Sequence, residues 1–201
     1  MAIEEAKYEL VLKEGQFEVR DYAPYLLAEV TVEGEFEEAG NKAFQYLFKY
    51  ISGANQPQAE IAMTTPVSQQ EAGEEIAMTA PVSQRDAGEE ISMTAPVSQS
   101  GTGKRYEVSF MMPASYTPET LPEPTNDRVL IRQVPEHRMA VIRYSGLWSK
   151  ANYQKHKLML DRWITEKGYK VIGEPVWARF NAPFSLWFLR RNEIQIPIAE
   201  E

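Results

Sequence analysis

The chain of 201 residues has no cysteine, which excludes disulfides, thiolate nucleophiles, zinc knuckles and thiolate-ligated iron. Nothing therefore ties it to an oxidising compartment. Long apolar runs are missing too: no stretch approaches the roughly 18 consecutive apolar residues of a membrane-spanning helix. The amino terminus, Met1-Ala2-Ile3-Glu4-Glu5-Ala6-Lys7, is acidic and polar where a secretory signal needs a basic start and an apolar run, so the expected location is cytoplasmic. There is no long basic run either, and a formal net charge of −8 repels phosphate backbones. Nucleic acid is not expected as a partner.

The hydrophobic share of 43% is ordinary for a globular protein with a real core. Tyr8 to Leu12 and Phe17 to Arg20 are β-like runs around a turn at Lys13-Glu14-Gly15, which predicts a hairpin. After a break at Asp21-Tyr22-Ala23-Pro24, Tyr25 to Val32 alternates as a half-buried strand. The period then changes. Phe36, Ala39, Ala43, Phe44, Leu47, Phe48 and Ile51 recur at steps of three and four, an amphipathic helix ended by Ser52-Gly53.

The second half repeats this plan. Val129 to Val134 and Met139 to Tyr144 are predicted strands around a turn at Pro135-Glu136-His137, and a helix follows from about Ser149 to Lys167, closed by Gly168. Tyr169 to Ile172, Val176 to Phe180 and Glu193 to Ile198 supply further strands. Strand-turn-strand-helix thus occurs twice. Two such halves pack as one α+β body, because neither covers its own apolar face, and a pocket is expected at their seam.

Residues 60 to 104 carry one segment three times, starting at Glu60, Glu75 and Glu90, with polar, glycine-containing spacers. The Ile-Ala/Ser-Met-Thr core of each copy alternates like a short strand, but the proline two residues later has no N–H for a ladder. Near-identical copies specify register weakly. Met63, Met78 and Met93 could act as a soft-ligand array for haem iron or copper(I), but methionine is a common core filler, and one structural strand with a tandem duplication in a loop is the plainer reading.

Tyr8 to Tyr22, Leu47 to Asn55, the Met-Thr-Ala-Pro-Val segment, Tyr144-Ser145-Gly146 and Phe188 to Ile194 together resemble the SOUL haem-binding protein family. The resemblance spans nearly the whole chain apart from two repeat copies. It implies a single domain over residues 1–201, with the repeat inserted at 60–104, whose two pseudo-symmetric antiparallel sheet-plus-helix halves form a distorted barrel. It also implies non-enzymatic binding of haem or protoporphyrin, as a ligand rather than a catalytic cofactor, in an apolar cleft beside the first helix, as in a carrier, buffer or sensor.

Carried over by position, the porphyrin-facing residues are Asn41, Phe44 and Phe48, which share one helix face. Some relatives have arginine at the first of these, where it can pair with a propionate; Asn41 offers only neutral hydrogen bonds. The first half lacks the histidine that some relatives use as axial ligand. Tyr153 and His156 on the second helix complete the expected set, with His156 the candidate iron ligand. A lone histidine is more often a packing residue, and a tyrosine or methionine ligand, or no axial bond, is also open.

The same double-half plan resembles effector-binding domains of the GyrI-like type, which hold assorted small hydrophobic or cationic molecules. A carboxylate inside the seam, such as Glu174 or Glu193, favours cations, and an apolar seam favours porphyrin. A hydrolase would need an acid-base pair among Glu174, Glu193, His156, Tyr144 and Tyr169, and no spacing singles out two of them. Glu193 follows Arg190-Arg191-Asn192, so a buried ion pair fixing the last strand is the plain expectation.

Overall fold

The computed structural model describes residues 4–56, 88–101, 104–181 and 184–199. Strands β1 (Tyr8–Glu14) and β2 (Phe17–Tyr22) form the first hairpin, whose turn needs a left-handed residue and has Gly15 at φ 59°. Next come β3 (Tyr25–Glu33) and helix α1 (Phe36–Ile51), whose Phe36, Ala39, Ala43, Leu47 and Ile51 are buried at the predicted three- and four-residue steps. The chain continues through β4 (Asn55–Gln56), β5 (Val97–Ser100), β6 (Arg105–Met111), β7 (Glu123–Pro124), β8 (Val129–Val134) and β9 (His137–Tyr144). Helix α2 (Lys150–Lys167) starts where Ser149 Oγ accepts from the Asn152 N–H and stops at left-handed Gly168. Strand β10 (Val176–Arg179), a 3-10 turn at Trp187–Leu189 and β11 (Asn192–Pro197) complete it.

Among the described residues nine strands make one curled antiparallel sheet in the order β1-β2-β9-β11-β10-β5-β6-β3-β8, and β4 pairs with β7. Leaving out β1, exchanging β2 with β8, β3 with β9, β5 with β10 and β6 with β11 reproduces the same order backwards. The pseudo-two-fold therefore passes between β5 and β10. Each half also lends its first strand to the other: β2 pairs with β9, and β8 with β3.

Both helices cover one face of this sheet. Strand alternation sends Ala140, Ile142 and Tyr144 of β9, Asn192 and Ile194 of β11, and Trp177 of β10 to that face, and Phe36 of α1 stacks on Trp177 at 4.9 Å. Phe17 of β2 stacks on Trp163 of α2 at 5.2 Å. The concave face carries the opposite set, including Arg20, Tyr22, Glu193 and Gln195.

Three local expectations are corrected. Tyr169 to Ile172 is no strand: only Val171 bridges to Ile198, and with Val171 and Ile172 both exposed there is no packing to extend the ladder. His137 is the first residue of β9 and not part of the turn. In the third repeat copy the strand lies after the proline, at Val97–Ser100, and not on Ile91 to Thr94. There the chain is pinned by other bonds, Ala95 N–H to the Glu4 carbonyl and Thr94 Oγ1 to the Met111 carbonyl, and the ladder begins once Pro96, which lacks an N–H, is passed. The first two copies lie outside the described residues.

Candidate functional site

The outer face of α1 brings Asn41, Phe44 and Phe48 together as expected. Phe44 and Phe48 lie one turn apart with ring centroids 5.7 Å apart and planes 13° apart, and Phe44 meets Phe110 of β6 edge-on at 5.4 Å. Packing thus fixes Phe44, while Phe48 remains 45% exposed. Asn41 is exposed.

Tyr153 and His156 stand apart from that trio, on α2. Tyr153 is half-buried against Phe36 at 5.1 Å and Trp177 at 5.9 Å, and burial pushes its phenol up to about 12. His156 lies flat on Tyr144, centroids 3.9 Å apart. Its Nδ1 is 2.8 Å from the Asn152 carbonyl, which accepts only, so Nδ1 is the donor there, and in the neutral ring the lone pair lies on Nε2. That tautomer suits a metal ligand. Among the described residues no group of three His, Cys, Asp or Glu side chains gathers to hold a metal ion. Met93 is 44% exposed, and Met63 and Met78 lie outside the described residues.

Both groups rest on one continuous row of the sheet. Phe110 pairs with Val97, Val97 with Arg179, Arg179 with Asn192, and Asn192 with Tyr144. Phe44 covers one end of this floor and His156 the other, four strand spacings apart, or roughly 19 Å. Elsewhere on the surface Phe184, Leu186, Trp187, Phe188 and Leu189 are all exposed, Phe184 at 91%.

The middle of the row was missed by the sequence reading. Arg179 lies under α1, where a Cβ on Gly40 would fall 2.4 Å from its Nη2. Its guanidinium faces the rings of Trp177 at 4.9 Å and Trp148 at 5.4 Å. Asn192 holds Trp148 in place by accepting from its Nε1 at 2.8 Å. Desolvation pushes Arg179 down to about 10, although the residue as a whole keeps partial exposure; Nε is the sealed part. The readable signal was the alternation in Val176-Trp177-Ala178-Arg179, which puts an indole and a guanidinium on one face.

The concave face holds a cavity of about 260 Å³, lined in part by Tyr8, Tyr22, Tyr25, Arg20 and Gln195. Glu193 is fully buried there and is bonded by Arg20 Nη1 and Nη2 at 2.9 and 3.1 Å, by Arg191 Nε at 3.0 Å and by Gln195 Nε2 at 2.9 Å. Burial opposes the charge on Arg20, but Glu193 outweighs it and holds the guanidinium above its ordinary range. The carboxylate is therefore matched by two arginines. Of the acid-base candidates, Glu193 is on the concave face while Tyr144 and His156 are on the helix face, and Glu174 is exposed.

This curled antiparallel sheet with two helices and interlocked halves is an α+β half-barrel. Two solved structures share it: the EcmrR C-terminal domain (11% identical, 92% of this chain and 98% of that one, TM-score 0.57) and a hydrolase from Listeria innocua (13% identical, 94% of each, TM-score 0.58). At these identities the likeness concerns fold alone. The chain belongs to the SOUL heme-binding protein family, whose model matches residues 3–197. A curated relative, heme-binding protein 2 of Mus musculus, is 25% identical over 190 residues, covering 89% of this chain and 80% of that protein.

Proposed function

We propose that this protein binds haem or a related tetrapyrrole as a carrier, buffer or sensor and performs no catalysis on it. The observation that carries the reading is the ring pair on α1, with Phe44 fixed by Phe110 and Phe48 left exposed beside it. Aromatic area held rigid at a surface suits a flat apolar ligand. Family membership supports the same ligand class. Asn41, Phe44 and Phe48 would contact the macrocycle from α1, while Tyr153 and His156, at the other end of the floor, would meet only its periphery; iron ligation by His156 Nε2 would need the ring to sit at that end instead. Bound haem would supply the chemistry of its iron; the protein's part is to hold the ring and limit its exposure to water. Separation of Glu193 from Tyr144 and His156 by the sheet supports binding over hydrolysis.

The concave cavity supports a second reading, a site for a smaller effector. Its tyrosines suit an aromatic guest, whereas Glu193, already matched by Arg20 and Arg191, offers no net charge to a cation. An absorbance titration with hemin and with metal-free protoporphyrin tests the main reading: saturable binding of either supports it, and binding of neither ends it. Equal affinity for the two would remove iron ligation by His156.

A further inference from the structure

Among the described residues, four buried side-chain polar atoms have no hydrogen-bond partner: Gln99 Oε1, Tyr144 Oη, Trp177 Nε1 and Arg179 Nε. All four lie beneath the helices on three strands near the seam between the halves. Trp177 is paired with Gln99, while Arg179 and Tyr144 flank Asn192 in one row. Buried polar groups are nearly always bonded, so four orphans in one place need an explanation. Three of them, the guanidinium Nε–H, the indole N–H and the phenol O–H, are donors.

These donors are close to one another. The Arg179 charge acts on the Tyr144 hydroxyl, and the Trp177 N–H is near enough to favour its phenolate, although no hydrogen bond of ordinary geometry joins that pair and burial dominates, pushing the phenol up. Trp177 is 2% and Tyr144 7% exposed. The indoles of Trp148 and Trp177 ease the burial of the Arg179 cation through their faces but accept none of its N–H bonds. Arg190, centred 4.3 Å over the Trp148 ring, adds a second positive charge beside the first. No carboxylate pairs with Arg179 among the described residues, in contrast to Arg20 and Arg191. Gly40, a residue that weakens a helix interior, leaves the space that the guanidinium takes.

We infer that Arg179, Trp177 and Tyr144 form a carboxylate-binding site, in which the missing acceptor of all three donors is a ligand carboxylate. A carboxylate has two acceptor oxygens and the negative charge that a desolvated guanidinium lacks. The carboxylate arrives either as a free small acid or as a side arm of the macrocycle, and only the second form rests on the tetrapyrrole reading. Tyr144 brings the site to the His156 end of the floor, so an acid arm held here would direct the ring that carries it along the row toward Phe44.

The test compares protoporphyrin with its dimethyl ester, in which the carboxylates are blocked, on the full chain, Arg179→Met and Tyr144→Phe. Wild type is expected to prefer the free acid by about tenfold or more, the scale of a charge-assisted bond. Arg179→Met removes that preference by lowering free-acid affinity to the level of the ester, and Tyr144→Phe reduces the preference about threefold. Benzoate separates the sources: thermal stabilisation of wild type but not of Arg179→Met means that a free acid suffices. Acid preference without any benzoate effect means that the arm is required. Equal acid and ester binding with no benzoate effect overturns the inference, as does a preference that survives both substitutions. If neither porphyrin binds, the tetrapyrrole reading falls and benzoate alone decides the carboxylate site. Should Arg179→Met fail to fold, the Tyr144→Phe response decides, a loss supporting the site and an unchanged response overturning it.

Discussion

Arg20 and Glu193, 173 residues apart in the chain, are joined by two parallel hydrogen bonds of 2.9 and 3.1 Å in the concave face of the sheet. Their strands are not neighbours. β2 and β11 lie on either side of β9, so the pair clamps the second half's central strand between an element from each end of the chain. Arg20 also donates to Tyr22 Oη at 2.9 Å and to Glu18 at 2.7 Å, so neither charge is left short of partners.

Glu193→Gln leaves Arg20 buried without full charge compensation and is expected to cost roughly 3–5 kcal/mol, the usual result of breaking a buried pair from one side. Urea denaturation checks this. Replacing both partners, Arg20→Met with Glu193→Leu, should recover most of the loss. A carboxylate kept for a cationic ligand would behave in the opposite way, with Glu193→Gln nearly neutral for stability and damaging to cation binding.

Gly40 and Arg179 are expected to be coupled. Alanine at an interior helical glycine ordinarily gains about 1 kcal/mol, but here its Cβ would press on the Arg179 guanidinium. Gly40→Ala should therefore stabilise an Arg179→Ala background by about that amount and give less, or a loss, in wild type. A double-mutant cycle by thermal or urea unfolding reads the difference, and equal effects in both backgrounds would show that the guanidinium does not depend on the glycine.

Much of the architecture was legible before any coordinates. The α1 spacing from Phe36 to Ile51 and the Gly168 stop of α2 followed from periodicity and capping, and the double strand-turn-strand-helix plan is the pseudo-two-fold of the sheet. The exchange of β2 and β8 between halves was not legible, because each strand alternates equally well against any partner. The Arg20–Glu193 contact escaped for the same reason, being set by sheet order and not by anything local. Of the candidate site, the α1 residues came from the family resemblance, and spacing added that they share one face, which the structure gives Phe44 and Phe48. The Arg179 cluster was hidden because its members come from β9, β10 and the segment before α2, which only the register brings together.

The repeat tests the register argument. The third copy supplies β5, so removing residues 60–89 leaves Val97–Ser100 beside β6 and β10. The Glu89 bonds to Asn55 use only Glu89 backbone atoms, so the residue that takes its place can make them again. If the two removed copies only lengthen a connection, their loss changes stability by roughly 1 kcal/mol or less. The shortened chain should unfold in one cooperative transition near the parent midpoint, since the strand exchange leaves neither half able to complete its sheet alone. Two separated transitions, or a chain that does not fold, would contradict this.

The most direct measurement of tetrapyrrole binding is the affinity of Phe48→Ala for hemin and for protoporphyrin, beside the parent. Phe48 is exposed enough for its removal to spare the fold, so circular dichroism and the thermal midpoint should match the parent. Loss of one stacked ring should weaken both ligands alike, by roughly three- to tenfold, because aromatic stacking is worth about 0.5–1.5 kcal/mol. A folded Phe48→Ala variant that binds both as tightly as the parent would contradict placement of the ligand on α1.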